Sequence, residues 1–346
     1  MKAAILVAQH QPLVVEEVEL PGQLSYGQVR VRVCYSGICG SQLGEIDGVK
    51  GEDRYLPHLL GHEGAGIVEA IGPGVKTVCV GDHVVMHWMK GEGVESEAPV
   101  YRWRGKRLNA GWVTTFNEYA IVSENRVTAI PRNFELQLAP LLGCAVTTGL
   151  GVINNNAQVK IGESVVVFGV GGVGLNVVQG AAMVSAHPII AVDVYDNKLE
   201  LATQFGATHC LNTKQQESQA EIRRIVGEVG ADVVVDSTGN PTVIETAYGL
   251  TRPQGRTVLV GVPGTGDNIS IYSLPLHFGK VLTGSHGGES KPDEDIPRYI
   301  GLANAGKLKL ETLITNHCHL EDINGIIDRM RRGRVAGRCV IKIGDK

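Results

Sequence analysis

The sequence predicts a mixed α/β protein with two parts, one mostly β and one built on a doubly wound parallel sheet. Three observations carry this. Over the first ~145 residues, short runs alternate between apolar and polar residues and are separated by glycine turns, as half-buried strands should be. From about residue 147, strands without polar alternation are separated by helices, the pattern of a parallel sheet covered on both faces. Between the strand Val165–Phe168 and the helix that follows, a glycine-rich turn marks a close backbone approach. The length of 346 residues fits two domains at roughly 100–200 residues each.

The elements follow in order. Residues 1–20 alternate apolar positions around a single lysine, so they read as a strand and not as a signal peptide. Val29-Arg-Val-Arg-Val has a period of two. Residues 64–74 and 81–86 are short strands between glycine turns. Val165–Ala186 is about as long as a membrane span, but it contains Gly169, Gly171, Gly172 and Gly174 with Asn176 and Gln179, so a strand, a turn and a buried helix fit better. Ile189–Asp193 is a second strand, 197–205 a helix, Val233–Asp236 a strand, and Arg256–Gly261 another strand after a further helix. Helices at 296–304 and 321–332 precede a last strand from Arg338.

Composition narrows the function. Hydrophobic residues at 43% and charged residues at 20% exclude a mainly disordered chain. The net charge of −4 gives no electrostatic footprint for nucleic acid or an anionic membrane, so neither is expected as a partner. Seven cysteines are too few, and odd in number, for a disulfide scaffold. They suit a reducing compartment, so a cytoplasmic location is expected.

Residues 165–174 read Val-Val-Val-Phe-Gly-Val-Gly-Gly-Val-Gly, which contains G-x-G-x-x-G at Gly169, Gly171 and Gly174. The motif alone is weak in a glycine-rich chain, and its setting strengthens it. It ends an apolar strand, opens a helix, and is followed by a second strand that closes on Asp193. Glycines let the backbone approach a pyrophosphate, and the helix N-terminus offers unpaired N–H groups with a positive dipole end. A carboxylate at the end of the second strand accepts hydrogen bonds from the adenosine ribose and repels a 2′-phosphate. No arginine follows among residues 194–197, and Lys198 is the nearest cation, so NAD is expected over NADP.

Three segments of the β part carry metal-ligand residues: Cys39 in Gly37-Ile-Cys-Gly-Ser41, His62 in Gly61-His-Glu63-Gly, and Cys144 in Leu142-Gly-Cys-Ala. Two thiolates and an imidazole make a three-ligand zinc site with an open fourth position. A metal there lowers the pKa of an alcohol oxygen and lets hydride depart from carbon. Spacing alone leaves the alternative open that these are buried cysteines and a structural histidine.

With these motifs in the order Gly37-Ile-Cys39, Gly61-His62-Glu63, Gly81-Asp82 and Cys144, the chain resembles the zinc-containing alcohol dehydrogenases of the medium-chain dehydrogenase/reductase superfamily, over nearly its whole length. The resemblance implies a GroES-like catalytic domain at 1–146 and 287–346, interrupted by a Rossmann NAD-binding domain at 147–286. It implies one catalytic zinc on Cys39, His62 and Cys144, with Glu63 as the acidic neighbour that approaches the metal when the fourth ligand exchanges. Ser41 matches the hydroxyl that takes the substrate proton. Thr148 and Val173 match nicotinamide contacts, and Gly169, Gly171, Gly172 and Gly174 the pyrophosphate loop. Asp193 and Lys198 match adenosine ribose contacts, and Arg338 a pyrophosphate contact. Trp88 and Phe116 match aromatic walls of the substrate pocket. The implied activity interconverts an alcohol with an aldehyde or ketone, using zinc and NAD on a small-molecule substrate.

The chain departs from this pattern in places. Gln42 stands where many members have an aspartate that orients the ligating histidine, and Gly44 where some have a histidine ending the proton relay. No cysteine lies between Cys79 and Cys144, so the four-cysteine structural zinc lobe of many relatives is missing and one zinc is expected, not two. The run Tyr101–Arg107 holds four cations in seven residues and reads either as an anion patch or, more plainly, as a solvated loop. Two rivals remain at this point: a zinc-free NADPH-dependent reductase of the same fold, and a non-catalytic binding protein that kept the fold. Pairing through an edge strand near Asn268–Tyr272 is expected to give a homodimer or homotetramer.

Overall fold

The computed structural model describes residues 1–215 and 217–344. These form two compact units, one of Met1–Cys144 with the segment from Lys291 onward, the other of Ala145–Ser290. The division falls a few residues from the boundaries expected at 146/147 and 286/287. Among the described residues, no helix is long and apolar enough to cross a membrane.

The first unit is centred on the long strand Gln28–Gly37, whose alternating valines 29, 31 and 33 are buried in the main apolar core. One edge of this strand pairs antiparallel with Gly64–Ile71. The other edge is shared: Tyr119–Ser123 pairs with residues 28–32, and Arg338–Lys342 pairs with residues 35–37. The sheet continues through His83–Met86 and Val127–Ile130 on one side and Ile314–His319 on the other. This shared edge brings the C-terminal strand beside the end of Gln28–Gly37.

The second unit is a parallel sheet. Its order is His209–Asn212, Ile189–Asp193, Val165–Phe168, Ala231–Asp236, Thr251–Leu259, Val281–Gly284. Val165, Val166 and Val167 have no exposed surface. Each such burial contributes about 1.5–3 kcal/mol relative to exposure, which explains why these strands show no polar alternation. The strand order reverses beside Val165–Phe168, the point where open α/β sheets bind ligands at the carboxyl ends of their strands. The expected edge strand at Asn268–Tyr272 is not a strand in the single chain. The Ser270 N–H is taken by the Glu245 carboxylate at 2.7 Å, and Val281–Gly284 occupies the sheet edge instead.

The stretch after Trp88 is held by side chains. The buried Glu124 carboxylate accepts from Lys76 N at 2.5 Å, Thr77 N at 2.8 Å and Val94 N at 2.7 Å. Ser123 Oγ donates to Val94 O at 3.0 Å, Trp112 Nε1 donates to Ser96 O at 3.0 Å, and Asp293 accepts from Glu92 N at 2.5 Å. Backbone donors that would otherwise be buried unpaired are thereby satisfied. In the basic run, Tyr101–Trp103 and Lys106–Leu108 form a hairpin. Glu16 accepts from Trp103 Nε1 at 2.9 Å and from Arg104 Nη2 at 2.5 Å. Arg107 bonds Asn109, so two of the four cations are already engaged and the plain reading of this run fits.

Candidate functional site

Sheet register assembles the metal-ligand residues. Cys39 follows the strand Gln28–Gly37 and caps the helix Gly40–Ile46, while His62 and Glu63 immediately precede Gly64–Ile71. Ser36 pairs with Gly64, so residues leaving one strand lie beside those entering the other. Cys144 follows the turn Ala139–Gly143. A Cβ at Gly143 would fall 2.5 Å from Met86 O and 3.2 Å from Glu63 Cα, so only glycine lets this turn approach so closely. Ligand atoms of Cys39, His62, Glu63 and Cys144 all lie within 4.8 Å of one another.

The loop around His62 is fixed from beneath. Gly37 N donates to Glu63 O at 2.8 Å, and Ser36 Oγ donates to the same oxygen at 3.0 Å while bonding Thr115 Oγ1 at 2.7 Å. Nothing in the sequence singles out Ser36 or Thr115, because their value lies in a backbone carbonyl 27 residues from Ser36 in the chain.

The electrostatics are those of a buried, charged cluster. A hydrogen bond with Cys144 holds the Cys39 thiol well below its ordinary pKa although burial opposes this, and the same bond pushes Cys144 well above. Burial raises the Glu63 carboxyl and Arg338 counteracts it. Burial works to lower Arg338, but the charges of Glu63 and Cys39 outweigh it and hold the guanidinium above its ordinary value. Arg338 Nη2 donates to Glu63 Oε2, in a pair with 4% and 0% side-chain exposure.

The other Glu63 oxygen, Oε1, stands 3.7 Å from His62 Nε2. Neither atom makes a hydrogen bond, although both are buried. A buried polar atom without a partner costs about 1–3 kcal/mol, so two facing one another beside two sulfurs form a site that a cation completes. The donor set of two sulfurs and one imidazole fits tetrahedral zinc with one open position. Ser41 Oγ, the expected proton acceptor, is likewise buried without a partner. The Trp88 ring lies 6.4 Å from the His62 ring, beside the site. Phe116 has no exposed surface, and its ring lies against Gly61, where a Cβ would meet Phe116 Cδ1 at 2.8 Å.

The glycine loop lies wholly in the second unit. The helix Gly172–Met183 starts from Gly171, with Gly172 and Val173 in its first turn. A Cβ at Gly174 would lie 1.9 Å from Gly169 O, the close helix-to-strand packing this motif requires, whereas a Cβ at Gly171 would meet open space. That space at a helix N-terminus fits a pyrophosphate. Asp193 Oδ2 accepts from Val170 N at 2.9 Å, and Oδ1 accepts from Val194 N at 2.7 Å and Tyr195 N at 3.1 Å. Lys198 Nζ stands 3.9 Å from Asp193 and over the Tyr195 ring, as does Lys214 Nζ at 4.6 Å from the ring centre. Lys214 escaped the sequence reading because it follows a different strand. Thr148 is buried in the helix Ala145–Gly151.

Known proteins resemble this chain over nearly its whole length. The profile of the alcohol dehydrogenase GroES-like domain matches residues 25–132, and that of the zinc-binding dehydrogenase domain matches 172–305. The S-(hydroxymethyl)glutathione dehydrogenase of Haemophilus influenzae is 33% identical, over 96% of this chain and 95% of its own. The enzyme of the same name from Synechocystis is 33% identical, over 96% and 97%. Among solved structures, an alcohol dehydrogenase zinc-binding domain protein from Burkholderia ambifaria aligns with a TM-score of 0.90 at 30% identity, covering 99% of both chains. The benzyl alcohol dehydrogenase of Acinetobacter calcoaceticus aligns with a TM-score of 0.89 at 29% identity, also over 99% of both.

Proposed function

The chain belongs to the zinc-binding alcohol dehydrogenases, enzymes that interconvert alcohols with aldehydes or ketones using zinc and NAD(H), and within that family we propose that Cys39, His62 and Cys144 hold a single zinc, Ser41 accepts the substrate proton and Asp193 selects NAD. The observation that carries this reading is the convergence of those ligand atoms within 4.8 Å around a buried, unpartnered His62 Nε2. When bound, zinc supplies a Lewis acid for the alcohol or carbonyl oxygen and the dinucleotide supplies the hydride acceptor or donor.

The protein's own residues do the rest. Cys39 and Cys144 would hold a zinc as thiolates, with His62 as the third ligand. Arg338 balances Glu63, leaving Oε1 of that carboxylate facing the ligand cluster, where it would be able to approach a zinc held there when the fourth ligand exchanges. Ser41 Oγ, buried and without another partner, takes the substrate proton. Gly44 offers no side chain to carry that proton further, so it passes to water. Trp88 and Phe116 form aromatic walls of the substrate pocket, Trp88 with its ring 6.4 Å from that of His62. Residues 1–146 and 287–346 act as the catalytic domain.

Residues 147–286 act as the NAD domain. Gly169, Gly171, Gly172 and Gly174 cradle the pyrophosphate, Thr148 and Val173 face the nicotinamide, and Asp193 with Lys198 holds the adenosine ribose. The negative Asp193 repels a 2′-phosphate, which favours NAD. One zinc per chain is consistent with a loop after Trp88 that is anchored by Glu124 and carries no cysteine. None of the seven cysteines is in a disulfide, which supports a cytoplasmic location. Exposed Tyr272, Leu274, Leu276, Phe278 and Val281 near the sheet edge support a homodimer or homotetramer.

Metal analysis of dialysed protein, alongside NAD reduction across a panel of alcohols, tests the proposal. About one zinc per chain and NADH formation with at least one alcohol class are expected, and both are lost in Cys144→Ala. Two zinc equivalents, or active protein without zinc, would contradict it.

A further inference from the structure

Gln42 sits where one amide must serve two neighbours. It is 1% exposed, on the first turn of the helix that Cys39 caps. Its Oε1 accepts from Cys39 N at 2.9 Å, and its Nε2 lies 2.6 Å from His62 Nδ1. The backbone N–H of Cys39 is a donor under all conditions, so the atom facing it must be the amide oxygen. The amide NH₂ then faces Nδ1, which must present a lone pair. In a neutral ring the proton therefore sits on Nε2, the atom that points into the ligand cluster beside Glu63 Oε1.

Ligation through Nε2 requires the opposite arrangement, with a lone pair on Nε2 and a proton on Nδ1. A proton on Nδ1 meets the amide NH₂ donor to donor. The same clash meets the doubly protonated ring, which also carries a proton on Nδ1. Turning the amide over cures the contact with His62 but puts NH₂ against Cys39 N–H. A carboxylate in this place would have two acceptor oxygens and satisfy both donors at once, whereas an amide has one acceptor end.

We propose that Gln42 is a positioning residue that holds His62 in the Nε2–H tautomer and so works against metal binding, making the zinc site of this chain looser than the same site with a carboxylate at 42. The inference rests on the assignment of Cys39, His62 and Cys144 as ligands. On loading, the ring gives up its Nε2 proton and takes one at Nδ1, with no net change, and one of the two Gln42 hydrogen bonds is lost. This reverses the usual effect of a group behind a ligating histidine, whose removal costs 10–100-fold in affinity.

The test uses the full-length protein, stripped of zinc with a chelator and then reloaded. Long-range ¹⁵N–¹H correlation spectra of labelled histidine should place the His62 proton on Nε2 in the zinc-free chain and on Nδ1 in the loaded one. Competition with a chromophoric chelator should show zinc bound about 10–100-fold more tightly by Gln42→Glu. Gln42→Met, which removes the amide from both states, should bind zinc at least as tightly as wild type. An Nδ1–H ring in zinc-free wild type, or a tenfold loss of affinity in Gln42→Met, would overturn the proposal while leaving the ligand assignment intact. Failure of wild type to take up zinc at all would overturn both.

Discussion

The two sites differ in how they are built. The glycine loop is made of neighbours in sequence: strand Val165–Phe168, turn, helix Gly172–Met183, with Asp193 one strand further on. The metal-ligand cluster is made of residues brought together by antiparallel register, from Cys39 to Cys144, with Arg338 added by the last strand of the chain. Local chemistry specifies the first, and long-range pairing the second. Damage should therefore stay local in the glycine loop and spread through shared backbone contacts in the cluster.

The largest effects should separate the two most clearly. Cys144→Ala should lose or loosen zinc and abolish turnover while NAD binding, followed by fluorescence titration, stays within about threefold. Gly174→Ala should do the reverse, because its Cβ would fall 1.9 Å from Gly169 O. Overpacking of this kind costs about 1–3 kcal/mol, and here it should appear as weakened NAD binding with zinc retained. A Cys144→Ala chain that no longer binds NAD would erase the distinction.

Ser41→Ala should lower turnover by roughly 10²–10⁴, the usual contribution of a positioned proton acceptor, with both zinc and NAD still bound. A loss below about tenfold would mean that water takes the proton directly. Loss of metal would make the serine structural.

Asp193→Ala should weaken NAD by about ten- to a hundredfold and narrow the gap to NADP, through loss of a charge-assisted hydrogen bond. The three backbone N–H groups that Asp193 accepts sharpen this expectation, because their loss loosens the loop for both dinucleotides. The ratio of the two dissociation constants is therefore the quantity to measure. Wild type that already prefers NADP would contradict the ribose assignment.

A smaller effect belongs to the first unit alone. His87 is buried between Met89 O at 2.8 Å and Thr128 Oγ1 at 2.9 Å, and burial lowers its pKa to about 4. The unfolded chain binds a proton there below the ordinary value of about 6.5, and the folded chain does not until about 4. Stability is thus fully present above about pH 6.5 and falls as pH drops towards 4, by about 3 kcal/mol in all. Denaturant unfolding of zinc-free protein across this range, compared with His87→Gln, should show the wild-type slope reduced in the variant. Parallel slopes would remove His87 as the cause.

The same contrast explains what could be read in advance. The valine run, the G-x-G-x-x-G spacing and Asp193 are local signals, and the strand, turn and helix stand where they were expected. The helix expected at 296–304 begins earlier, at Pro292, where proline and three acidic residues form a favourable first turn. The edge strand expected at Asn268–Tyr272 depends on a neighbour to pair with, and the short run Val281–Gly284 takes that place. Cys39, His62 and Cys144 were nameable through a resemblance, since spacing alone left them ambiguous. Gln42 was visible as a departure, but its conflict was not, because it arises from the position of the Cys39 N–H. Glu124 and Ser36 act on backbone groups far away in sequence, and no pattern of residue types marks them.

X-ray absorption at the zinc edge of the loaded enzyme tests the ligand set most directly. Two sulfurs at about 2.3 Å with nitrogen or oxygen at about 2.0–2.1 Å completing four-coordination are expected. A shell of four sulfurs, or one with fewer than two, would contradict the site built from Cys39, His62 and Cys144.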